Sequence, residues 1–166
     1  MAATSWNPKQ PRLMPKNGSI PEIFKFPEAA TQSYKAGALV YLDATNGRVT
    51  ACADGATLIT GIAMEDASGT TSADAHVQII RPGDFLYITC YDESDGAEVA
   101  ANTFKAGFTY DLEVDSDGVC YAEYDTEHAT SEELIFVQPV YDANGDSTNV
   151  GIFVVETTAL TFGDSD

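Results

Sequence analysis

The side chains best suited to chemistry in this chain are two histidines, three cysteines and a large excess of carboxylates. His76 and His128 fall in no H-x-H, H-x-x-x-H or H-E-x-x-H spacing, so no zinc centre is read from them. Cys52, Cys90 and Cys120 are odd in number and form no C-x-x-C pair, which reads as free thiols rather than a disulfide framework. A serine or cysteine nucleophile needs a positioned base, and neither a G-x-S-x-G elbow nor a recognised cysteine signature is present. No glycine-rich loop offers a phosphate cradle. Asp92, Glu93 and Asp95 before Gly96, Asp115 and Asp117 before Gly118, and Asp142, Asn144 and Asp146 around Gly145 gather oxygen ligands on turns. None places Gly at position six and Glu at position twelve of a calcium loop, and Asp and Asn suit hairpin turns for their own local hydrogen bonding. With 26 acidic residues, close carboxylate pairs arise without catalytic purpose. Catalytic, cofactor-binding and metal residues are accordingly assigned as none, and the chain is read as a non-enzyme without a cofactor.

Charge narrows the partners. Against 26 Asp and Glu stand 8 Lys and Arg, a net of -18, so neither nucleic acid nor an anionic membrane surface is an expected partner. The hydrophobic share, 44%, with 8 Tyr and 8 Phe, is enough for a core, and 166 residues suit one domain. Apolar runs such as Ala38 to Leu42 stay far below the roughly 18 residues of a membrane span. Met1 to Arg12 carries no apolar leader pattern, so synthesis in a reducing cytoplasm is expected.

The elements that would position any site divide the chain in two. Residues 1–35 hold five of the seven prolines and five basic residues against Glu22 and Glu28, net +3, whereas residues 36–166 carry three positive and 24 negative groups, net -21. Proline fixes φ and lacks a ladder N–H, so residues 1–33 read as an extended arm. Trp6, Ile20, Ile23, Phe24 and Phe26 would be wasted in solvent there, and with Lys9, Arg12 and Lys16 they are the candidate contacts for a partner's surface or a neighbouring copy. Residues 34–166 read as a single β domain holding nearly all inward-facing positions.

That domain shows short apolar segments between Gly, Asn and Asp, without a dozen residues at helical period. Phe108, Tyr110, Leu112 and Val114 alternate with polar residues, with Phe108 expected to face inward. Hairpins are expected between Ala38–Leu42 and Arg48–Ala53, and between Phe108–Val114 and Val119–Tyr124. Further strands are read at 58–64, 75–81, 85–91, 134–140 and 150–156, with 85–91 and 134–137 apolar on both faces. Thr130 to Glu133 has capping-box spacing. Lys35-Ala36-Gly37 recurs as Lys105-Ala106-Gly107, read as repeated use of one strand-entry turn, with an internal duplication as the alternative, and either way as the start of a hairpin. The fold class is all-β: a compact sandwich or small barrel of about eight short strands, with the Pro-rich arm in front.

The run Tyr34-Lys35-Ala36-Gly37-Ala38-Leu39-Val40-Tyr41-Leu42-Asp43, then Asn46-Gly47-Arg48-Val49-Thr50-Ala51-Cys52, then Ile59 to Ala67, resembles head decoration proteins of tailed bacteriophages, also called cement or stabilisation proteins. Arg81-Pro82-Gly83-Asp84 and Gly107 to Leu112 resemble later segments of that family, so the resemblance runs from about Tyr34 to Phe162. It implies a virion protein on the outer capsid surface that binds the major capsid protein, stabilises contacts between capsomers and self-associates, with a trimer favoured. The competing expectation is a carbohydrate- or receptor-binding β module of a virion, with Tyr87, Tyr91, Tyr121 and Tyr124 as its rings.

Overall fold

The computed structural model describes residues 9–53, 56, 58–92, 94–124, 133–156 and 159–160. Among them are thirteen strands, more than the eight expected: β1 (Arg12–Met14), β2 (Ile23–Pro27), β3 (Leu39–Leu42), β4 (Val49–Ala51), β5 (Gly61–Ala63), β6 (Asp74–Ile79), β7 (Phe85–Asp92), β8 (Ala97–Glu98), β9 (Thr109–Tyr110), β10 (Leu112–Val114), β11 (Cys120–Glu123), β12 (Leu134–Tyr141) and β13 (Ser147–Val155). Four of them go beyond the nine individual segments read from the sequence: two strands within 1–33, β8, and the one added by the division of the alternating 109–114 segment at Asp111. Proline did not prevent pairing in the N-terminal segment because both of its strands lie along the margin of an existing strand.

The first sheet runs β10-β11-β7-β13-β12-β9, with β1 and β8 also on β7. Only Asp111 separates β9 from β10, so one continuous segment pairs with β12 on one side and β11 on the other, and the sheet nearly closes into a barrel. Thr89 pairs with both Val150 on β13 and Tyr121 on β11, which puts those strands on opposite edges of β7. β1 pairs with residues that β13 also pairs, so it shares the β11 edge and continues it. Gln10 seals that junction: its amide donates to the Gly118 carbonyl at 2.9 Å and accepts from the Cys120 N–H at 3.3 Å.

The second sheet runs β2-β6-β5-β3-β4. The expected hairpins are present as β3–β4 and β10–β11. β6 alternates Ala75, Val77 and Ile79 inward with Asp74 and His76 outward, as period-two patterning requires. The two KAG segments do the same work. The Ala38 and Phe108 amides each close a turn onto the lysine carbonyl three residues back, while Gly37 and Gly107, at φ 94 and 80, donate to the Ala63 and Phe136 carbonyls.

One core joins both sheets. Its densest part is aromatic: Phe104 lies 4.4 Å from Tyr110 and 5.5 Å from Phe136 between ring centres, and Phe136 meets Phe153 at 5.2 Å. Phe108, expected inside, is 59% exposed, because the strand begins one residue after it. Val137 is also exposed, so β12 is apolar on both faces without being covered on both. Thr130 to Glu132 lie outside the described residues. No described helix is long and apolar enough to cross a membrane.

Candidate functional site

The proline-spaced segment runs along both sheets. At its start the Lys9 carbonyl accepts from the Thr89 hydroxyl at 3.4 Å, and the Lys9 ammonium pairs with Glu98, which raises its pKa. Arg12 is exposed on β1 opposite Tyr87. Lys16 is exposed, and its N–H donates to the Asp84 carboxylate at 3.0 Å. The same carboxylate accepts the Arg81 N–H at 3.0 Å, which holds the crossing from the first sheet to the second. Ile20 is 90% exposed. Ile23 and Phe24 are exposed on β2, while Phe26 is half-buried against the core. The candidate contacts thus fall into two groups, Lys9, Arg12 and Lys16 beside the first sheet and Ile20, Ile23, Phe24 and Phe26 on the second. Trp6 lies outside the described residues.

Nearly all inward positions follow residue 33, as expected, and every buried hydrophobic side chain in the core does so. Gln10 and Glu28 are both buried. Glu28 follows β2 directly, and its carboxylate accepts from the Ser68 N–H at 3.0 Å, the Ser68 hydroxyl at 3.1 Å, the Gly69 N–H and the Tyr34 hydroxyl at 3.3 Å. Burial and that carboxylate together push the Tyr34 phenol well above its ordinary range. The Arg48 guanidinium donates to the Glu28 carbonyl at 2.7 Å, completing a clasp at the foot of the strand. No residue-type signal marked Glu28, since a glutamate following proline reads as surface; most of its donors come from a loop 40 positions away.

Groups with catalytic potential are differently placed. The His76 ring meets Glu65 at 2.7 Å on the exposed face of β6; His128 lies outside the described residues. All three thiols are buried and free, and burial pushes Cys90 up to about 12 and holds Cys52 well above the ordinary thiol range, away from thiolate chemistry. Glu133 is 3% exposed, and burial together with Asp111 and Glu156 raises its carboxyl to about 7. One of its oxygens has no hydrogen-bond partner. Among the described residues no group of His, Cys, Asp and Glu is arranged to hold a metal ion. Of the four candidate sugar-stacking rings, Tyr121 is buried against Tyr91 at 5.1 Å, Tyr124 packs on Phe104 at 5.3 Å, and Tyr87 is half-buried.

Beside β2 lies an apolar groove of about 340 Å³ lined by Phe24, Phe26, Ile79 and Arg81. Phe24 pairs with Val77 and Phe26 with Ala75, both fully interior, so these two rings sit at core level where the sheet ends.

A family model described as phage cement protein matches residues 17–81. No curated protein and no solved structure matches the chain. The family match bears out the resemblance to capsid cement proteins and supports a structural role in a phage virion. Its extent differs from the resemblance read over Tyr34 to Phe162: it begins within the proline-spaced segment and ends at Arg81. All five strands of the second sheet, β2 included, fall inside it.

Proposed function

We propose that this phage cement chain binds the outer surface of a tailed-phage capsid, contacts the major capsid protein and stabilises the junctions between capsomers as a non-enzymatic virion component. The observation that carries this reading is the coincidence of the cement match with the whole second sheet, including the exposed run Ile20, Ile23 and Phe24 on its margin. Within the reading, residues 1–33 supply the partner-facing strands and Lys9, Arg12, Lys16, Trp6 and Phe26 flank the contact, while residues 34–166 supply the β framework. The net charge of -18 favours protein partners over nucleic acid or anionic lipid. The protein is made in the host cytoplasm, assembles as an oligomer, with a trimer favoured, and ends on the virion. The carbohydrate reading asks for exposed rings, and the four tyrosines weighed for it are buried or half-buried.

The test is addition to phage shells assembled without this protein. Saturable binding by sedimentation, with shells more resistant to heat when occupied, is the expected result. Glycan binding without shell binding would overturn it.

A further inference from the structure

The second sheet has an unfinished margin. Among the described residues β2 pairs only with β6, apart from Glu28 at its foot, which bridges Val49. The direction of each main-chain group follows from the bonds present. The Ile79 N–H donates to the Glu22 carbonyl and the Glu28 N–H to the Ala73 carbonyl, so residues 22, 24, 26 and 28 turn their polar groups toward β6. The bond from the Met64 N–H to the His76 carbonyl agrees, because it turns His76, the partner of Lys25, toward β5. Ile23 and Lys25 therefore direct N–H and C=O away from the sheet. Pro21 and Pro27 bracket them, and neither has an N–H to give.

We propose that this margin takes a short extended segment of the shell subunit as an added strand, bonded to the main chain of Ile23 and Lys25, with one apolar side chain entering the groove walled by Phe24, Phe26, Ile79 and Arg81. The inference rests on the capsid-binding reading above and specifies how it is made. An added strand alternates its side chains, so every second one falls on the core-level face where Phe24 and Phe26 stand. The two prolines keep the new ladder to a few residues, which limits runaway edge pairing. Charge selects the occupant. Locally the margin is balanced, with Lys25 paired to Asp74 at 2.8 Å and Arg81 paired to Glu22, on a molecule of net -18. A second copy would bring the same negative excess against it, whereas a neutral or basic segment of the shell would not.

Lys25→Pro deletes one outward N–H and the Asp74 ion pair without removing a bond to β6. Lys25→Ala deletes the ion pair alone. Occupancy of shells lacking the protein is measured by sedimentation for both, with melting recorded to confirm folding. Lys25→Ala should bind within about threefold of wild type, and Lys25→Pro at least about tenfold more weakly, equivalent to ~1.4 kcal/mol. Equal binding by the two folded variants overturns the inference. Should Lys25→Pro not fold, Phe24→Ser decides: it alters only the groove wall, and undiminished occupancy overturns the inference. Wild type failing to bind shells would instead reject the capsid reading itself. Lys25→Pro changing the oligomeric state of the free protein while shell occupancy stays intact would assign the margin to a second copy, and so overturn the inference.

Discussion

The two sheets handle their edges in opposite ways. In the first, the segment 109–114 closes the ring by pairing with β12 and β11, and β1 continues the edge that β11 begins along β7. In the second, among the described residues, β2 pairs with β6 alone and leaves aromatic rings at core level beside a groove. An open apolar edge is a hazard in solution unless something covers it or its length is restricted. Here prolines restrict it, and the cement match covers the sheet that carries it. The aromatic packing is densest in the first sheet, and the second carries the margin proposed above for recognition.

Substitutions can break that contrast. The largest effect is expected from Phe153→Ala, at the aromatic centre of the first sheet: about 3 to 5 kcal/mol, or more than ~6 °C in melting temperature. Phe24→Ala on the open margin, 46% exposed, should cost less than about 1 kcal/mol. Similar losses by calorimetry would abolish the distinction.

Glu28→Ala leaves the Ser68 and Gly69 amides without their acceptor in a buried place and should cost about 2 to 3 kcal/mol. Because the clasp ends β2, cleavage by a protease should appear first within residues 15–28. Unchanged proteolysis would show that the strand is held without it.

Glu133 gives the first sheet a pH dependence. Its folded-state value of about 7 lies above the ordinary 4.5, so the stability it permits is complete below the unfolded value and declines as pH rises through the folded one. Asp111 and Glu156 facing it oppose its ionisation. Glu133→Gln should therefore flatten the fall in melting temperature between pH 5 and 8, gaining about 1 to 3 kcal/mol at pH 8. A variant with the wild-type slope would show that another group sets it.

The smallest effect is expected at Lys9. Its pair with Glu98 lies in solvent, so Lys9→Ala should move the melting temperature by no more than about 2 °C, and less in high salt. A larger drop would mean that β1 is anchored by charge rather than by its ladder and Gln10.

The sequence alone determined the all-β class, the two hairpins, the strand at 75–81 and the acidic composition. Each depends on short-range facts: period-two burial, turn residues that tolerate positive φ, and a count of charges. Local pattern erred where a strand had to begin, at Phe108, which the alternation includes and the turn after Gly107 excludes. Tertiary structure alone decided that β1 lies on β7 and β2 on β6, because main-chain ladders form without regard to side-chain identity and these partners stand far apart in the chain. It also decided which carboxylates are interior. Glu28 and Glu133 are chemically like every other glutamate here, and only the loop amides around one and the burial and acidic neighbours of the other give the first a clasp and the second a raised pKa.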